Sequence, residues 1–207
     1  MLIEEEGLMM GIKSKAIAAA IGVACATSAA QAEGYWGFAL DAGKAKSVVP
    51  SFGDYSHDKF MPGVAVVLGN RINNGDFFYG YEASASLTLN GAFEECGGFN
   101  PAPALCKQTA NVRLMGVVGQ QVGDYDIYGK LGYGAVFGDF AVSPSTVASG
   151  HVKGLTVGVG ASRQLSDTTK LFGEVLYDAY RNSSGQPDGY SSDYTNVNLR
   201  LGVMRSF

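Results

Sequence analysis

From Tyr35 onward the chain alternates apolar and polar residues in eight segments, with the period of two that marks a strand facing different media on its two sides. The segments run over about 35–44, 60–72, 76–89, 111–122, 125–137, 152–165, 170–180 and 194–207. Each reaches the ~9–11 residues that a tilted membrane-crossing strand needs. No helical period of useful length interrupts them. The pattern predicts an all-β fold, an eight-stranded antiparallel up-and-down transmembrane β-barrel.

The connections alternate in length. Asn73-Asn74-Gly75, Gly123-Asp124 and Ser166-Asp167-Thr168-Thr169 have the residues that tight hairpins favour. The other four are long and polar, over about 45–59, 90–110, 138–151 and 181–193. Short turns on one side and long loops on the other are the arrangement of bacterial outer-membrane barrels, whose long loops face outward. With eight strands, both termini fall on the periplasmic side.

The two faces differ in kind. One presents Trp36, Phe38 and Leu40, then Val64, Val66 and Leu68, and later Leu131, Tyr133, Leu155, Val157, Val175 and Tyr177. The opposite face is small or polar: Gly37, Ala39, Asp41, Gly63, Ala65, Gly80, Glu82, Ser84, Gly132, Gly134 and Thr156. A soluble ligand-binding barrel would turn the apolar face inward. An eight-stranded interior is narrow, however, and small residues fill it better than aromatics do. Lipid outside and a polar lumen inside is the reading these faces favour. Aromatics near strand ends (Trp36, Phe77 to Tyr79, Tyr125, Tyr128 and Phe207) form a candidate interfacial girdle.

The lumen then holds charges of both signs: Asp41, Glu82, Glu174 and Asp178 against Arg113, Lys130 and Arg200. Buried charges persist only when paired and hydrogen-bonded, which predicts an ion-pair network plugging the barrel. Counting up from the periplasmic ends sets Arg200 between Asp178 and Asp41, and puts Glu82 and Lys130 at a similar height with one strand between them. A gate or narrow pore is the functional alternative to a plug.

Both ends of the chain carry signals. Lys13 and Lys15, the apolar stretch 16–26 and Ala30-Gln31-Ala32 read as a secretory signal cleaved after Ala32. Residues 1–32 are thus the leader and signal, and 33–207 the barrel domain. The acidic start through Met9 has the wrong charge for an n-region, so translation is expected to begin at Met9 or Met10. A lipoprotein signal on Cys25 is the alternative, although the usual Leu three residues earlier is missing. At the other end, Val197 to Phe207 alternates to a terminal aromatic. It resembles the assembly signal of outer-membrane barrels through Arg200, Gly202 and Phe207, with Arg205 where an apolar residue is usual.

Composition narrows the rest. Glycine is abundant, at 29 of 207 residues, and charged residues make up 16%. The formal net charge of -4 gives no electrostatic case for nucleic acid. Cys96 and Cys106, ten residues apart, would close a disulfide in an oxidising compartment. A metal site there lacks nearby His partners. The chain's His residues, His57 and His151, fall in predicted loops or strand tips, away from any nucleophile and acid that would complete a catalytic set. No phosphate-cradling loop, HExxH motif or Cys–His cluster occurs, so no catalytic residue, metal or cofactor is expected.

The opening GYWGFALDAG, the IYGKLGYGAVFG and GLTVGVGASRQLS segments and the closing LRLGVMRSF together resemble the small OmpA/OmpX-type outer-membrane barrels, including the Ail/Lom and opacity-protein relatives. The resemblance spans the mature chain. It implies location in the outer membrane, contact with outer-membrane lipid and lipopolysaccharide, insertion by the barrel assembly machinery, and a surface-exposed structural or interaction role in adhesion or envelope integrity. A host or surface ligand would then be held by the outer loops. A narrow channel for small solutes and a lipid A-modifying enzyme are the competing roles within that architecture.

Overall fold

The computed structural model describes residues 32–49, 55–89, 94–99, 102–143, 146–181 and 193–207. Among these, every regular element is a strand: β1 Ala32–Val49, β2 Tyr55–Asn74, β3 Phe77–Thr88, β4 Glu94–Phe99, β5 Ala102–Val122, β6 Tyr125–Ser143, β7 Thr146–Ser166, β8 Thr169–Arg181 and β9 Asp193–Ser206. All but the short β4 form the wall. Each pairs antiparallel with its sequence neighbour, β1 pairs with β9, and a β3–β5 ladder closes the ring. Closure leaves the membrane-crossing strands no free edge, as a barrel in lipid requires.

The turns form where the sequence permits them. Gly75 and Gly123 adopt φ of 62° and 60°, the left-handed region that glycine enters without a Cβ penalty. Alternation carries the rest. Leu131, Leu155, Val159, Leu199 and Leu201 stand exposed on the outer wall, while Asp41, Glu82, Thr156, Glu174, Asp178 and Arg200 are buried within it. An exposed apolar belt around a buried polar interior is the inverse of a soluble protein and fits a hydrocarbon surround.

The structure corrects three expectations. First, much of the long outer connections is strand. The β1–β2 ladder runs to Val49 opposite Tyr55, and the β6–β7 ladder to Ser143 opposite Thr146. Beyond the bilayer no lipid demands an apolar residue at every second position, so a paired strand there needs no alternation to announce it. Second, the lumen is not reserved for small residues. Phe78 and Tyr128, expected in the girdle, are 4% and 7% exposed and point inward, with Tyr35, Phe172 and Tyr180. They fit because glycines face them: a Cβ at Gly69 would strike the Tyr35 ring, one at Gly119 the Phe78 ring, and one at Gly160 the Tyr128 ring. Third, an apolar cluster of Tyr35, Ala39, Ala65, Val67 and Phe172 occupies part of the interior.

The expected signal segment through residue 31 lies outside the described residues. Cys96 and Cys106 lie on β4 and β5, with Cys106 opposite Glu94 and a register shift between Glu95 and Gly97. Their side chains also fall outside the described set. His57 shares that position.

Candidate functional site: the lumen network

Three strands meet in one row of the lumen. Arg200 on β9 lies opposite Asp41 on β1 and opposite Glu174 on β8. Its guanidinium forks onto Asp41, with Nε donating to Oδ1 at 2.7 Å and Nη2 to Oδ2 at 3.0 Å. Nη1 donates to Glu174 Oε1 at 3.2 Å. The planar fork matches a carboxylate and fixes both partners' orientation. Asp178, placed beside Arg200 by counting residues, instead lies opposite Asn196, two inward positions higher on β8. The stagger of neighbouring strands in a tilted barrel is what residue counting omits.

Lys130 on β6 reaches in both directions around the wall. Its ammonium donates to Glu82 Oε1 at 2.6 Å and to Glu174 Oε2. The Tyr35 hydroxyl donates to Glu82 Oε2 at 2.9 Å, and the Tyr128 hydroxyl to Glu174 Oε2 at 3.4 Å. Two carboxylates thus share one ammonium, each with a phenol added.

Asp178 belongs to Arg113, which forks onto it with Nε and Nη2 at 2.9 and 2.7 Å. Thr156, Tyr180, Asn111 and Asn196 add donors at 2.8, 2.9, 3.2 and 3.0 Å. Ser86 joins the two halves: its hydroxyl donates to Asp41 at 2.8 Å and accepts from Arg200 at 2.9 Å and Arg113 at 3.4 Å. All seven charges anticipated in the lumen therefore stand in one hydrogen-bonded chain. Their side chains in ion pairs are at most 5% exposed.

A second cluster, not anticipated, sits near the periplasmic turns. Asp126 accepts from Arg71 at 2.6 and 3.1 Å, from Lys170 at 2.8 Å and from Ser162 at 3.1 Å. Arg71 also lies over the Phe78 ring, 3.5 Å from its centroid. The alternation of β2, β6 and β8 puts these three charges inward, but their closeness to turn residues hid them. On the outer wall, Arg163 lies over Tyr125 at 5.6 Å, and the His151 ring lies tilted beside Phe137, with centroids 5.8 Å apart. Arg205 is exposed and lies opposite Trp36, at the interface where a long cationic side chain reaches headgroups. Gly202 packs under Phe172 and the β1 backbone, and Phe207 continues the outer face.

Two small cavities flank the network, of about 40 Å³ toward the periplasm and about 20 Å³ toward the loops. Between them lie the ion pairs. Among the described residues, no group of three or more His, Cys, Asp and Glu is arranged to hold a metal ion.

No protein-family model matches the sequence, and no curated protein matches it either. Solved structures do. Neisserial surface protein A superposes with a TM-score of 0.54 at 13% identity, covering 83% of this chain and 97% of that one. Ail, the attachment invasion locus protein of Yersinia pestis, in complex with the heparin analogue sucrose octasulfate, gives 0.52 at 16%, covering 84% and 99%. The outer membrane protease OmpT from Escherichia coli gives 0.50 at 11%, covering 89% and 100%. At these identities the likeness establishes the fold, a closed antiparallel β-barrel of the bacterial outer membrane.

Proposed function

We propose that this barrel is a surface-exposed interaction protein whose lumen is a structural plug and whose activity lies on its outer hairpins. The observation that carries the reading is the continuous ion-paired chain across the interior, with small cavities of about 40 and 20 Å³ on either side of it. A buried network in which every charge has a partner holds a wall together, and it occupies the space a solute would need. The strands support the second half of the reading. β1, β2, β6 and β7 have 18, 20, 19 and 21 residues, about twice what the bilayer requires. Their upper halves form stiff ladders that project outward, a scaffold on which loops present contacts. Ail was solved with a heparin analogue, which supports an anionic surface ligand as the first to test. Lys44, Lys46, Lys153 and Arg181 stand at outward-facing positions of the upper wall here.

In the same proposal the chain is exported by its first 32 residues, inserted through the β9 signal of Arg200, Gly202 and Phe207, and oxidised at Cys96–Cys106. It is non-catalytic. OmpT shows that a protease has a similar architecture, so catalysis is tested directly: incubation with peptides and mass spectrometry of lipid A should both show unchanged products. Planar-bilayer recording is the test of the plug. Stable unitary conductance from the wild type would replace it with the channel reading. Trimming the upper β6–β7 hairpin should abolish binding to anionic surfaces while heat-modifiable gel migration stays intact.

A further inference from the structure

Two buried amide oxygens in the upper lumen have no donor. Asn196 and Asn198 are each 3% exposed, and neither Oδ1 accepts a hydrogen bond from a described residue. Both oxygens converge on one spot. A Cβ built on Gly43 would lie 2.9 Å from Asn196 Oδ1 and 3.5 Å from Asn198 Oδ1, and Gly43 has none. The space so left belongs to the cavity of about 20 Å³ on the loop side of the network. An amide acceptor buried without a donor is costly, so two beside the same space call for an occupant.

The orientation of Asn196 is set by its surroundings. Its Nδ2 donates to Asp178 Oδ2 at 3.0 Å, and a flip would aim the carbonyl oxygen at that carboxylate instead. The occupant must therefore satisfy acceptors. The charged donors and the Asn111 amide on this side turn away from the two oxygens: Asn111 and Arg113 face Asp178, and Arg113 and Arg200 face Ser86; Gln108 and Thr88 line the cavity as well. A buried water makes about three hydrogen bonds and seeks a donor as well as acceptors; a cation needs acceptors alone. The charge of the network favours a cation too. Four carboxylates (Asp41, Glu82, Glu174 and Asp178) stand against three cations (Arg113, Lys130 and Arg200), and both guanidinium groups in this region are forked onto carboxylates.

We infer that Asn196 and Asn198, over Gly43, form a binding site for one small monovalent cation, an alkali ion or a primary ammonium group. The site is independent of whether the outer hairpins bind a ligand, because it uses only lumen residues. The test uses the mature barrel in nanodiscs of zwitterionic lipid, with the side-chain amide resonances of Asn196 and Asn198 as the readout. Sodium, potassium and methylammonium chlorides are titrated separately against choline chloride at matched ionic strength. A saturable shift with at least one small cation and none with choline is expected. The alkali and methylammonium arms then tell which source supplies the charge. Gly43→Ala, which fills the site, and Asn198→Leu, which removes one acceptor, should each weaken the apparent affinity at least tenfold. Heat-modifiable migration shows that each variant has folded; if Asn198→Leu fails that check, Gly43→Ala carries the test. A response equal in choline, or one unchanged in Gly43→Ala, would overturn the site and leave an ordered water there.

Discussion

The central lumen and its periplasmic mouth are built from the same residue types at different depths. In the centre, Arg200 bonds Asp41 and Glu174, and the side chains concerned are 0%, 5% and 0% exposed. At the mouth, Arg71 and Lys170 bond Asp126, with exposures of 16%, 19% and 6%. The hydrogen-bond lengths overlap, between 2.6 and 3.2 Å in both. Geometry therefore does not distinguish the clusters, but water does. Desolvation makes the central charges mutually dependent, since no member there can fall back on solvent. At the mouth a released partner rehydrates, and the pair is worth correspondingly little.

The largest effect expected from that difference is at Arg200. Arg200→Ala leaves Asp41 without its cation and Glu174 with Lys130 alone in a dry lumen, a loss of about 3–5 kcal/mol. Urea unfolding in lipid, followed by the fluorescence of the single tryptophan, Trp36, measures it. A loss below about 1 kcal/mol would mean that water reaches the centre and would remove the contrast. Lys130 gives a sharper form of the same test. Lys130→Met alone leaves Glu82 without its cation and should cost nearly as much as Arg200→Ala. The double variant Lys130→Met with Glu82→Met should recover most of the loss, because well-packed apolar replacements of a buried pair are often neutral. The recovery, read as a double-mutant cycle, separates the worth of the pair from the penalty of orphaning one member.

How far the sequence foretells this interior depends on what each feature requires. Alternation exposes the wall because lipid and lumen demand opposite residues at every second position, so Leu131 and Lys130 are assigned to their faces without a structure. It also marks the seven central charges as inward. It does not reveal who meets whom. Arg200 meets Glu174 rather than Asp178 through a register offset that arises from closing the ring, a global quantity with no local trace. Inward aromatics are hidden for another reason. Tyr128 lies near a strand end, where outer girdle and inner packing both accept an aromatic, and only the facing Gly160 on β7 decides the matter. The upper ladders are silent because beyond the bilayer no lipid imposes the alternation. Asn196 and Asn198 read as ordinary inward polar residues until their oxygens are seen over Gly43.

That pairing of Tyr128 with Gly160 gives a test of intermediate size. A Cβ at Gly160 would come 2.6 Å from the Tyr128 ring and 2.8 Å from the Glu174 Cβ. Neither neighbour yields freely, since the Tyr128 hydroxyl and the Glu174 carboxylate both belong to the network. Overpacking of this kind costs about 1–3 kcal/mol. Gly160→Ala should therefore fold with reduced stability, and Gly160→Ala combined with Tyr128→Ala should be less destabilised than the two losses summed. Additive losses would show that the ring moves aside without strain.

The smallest effect belongs to the mouth. Lys170→Ala removes one of two cations from Asp126, which keeps Arg71 at 2.6 Å and Ser162 at 3.1 Å. With the lysine about one-fifth exposed, solvent screening limits the loss to between 0 and about 1 kcal/mol. Salt supplies the discriminating control. At 1 M ionic strength the Debye length is about 3 Å, so the difference between wild type and Lys170→Ala should vanish. The Arg200→Ala deficit, set by desolvation, should persist. If both deficits fade together, the two clusters share one environment and the lumen is wet along its length. If only the Lys170 term fades, the boundary between the open mouth and the closed centre lies between Asp126 and Lys130, two inward positions apart on β6.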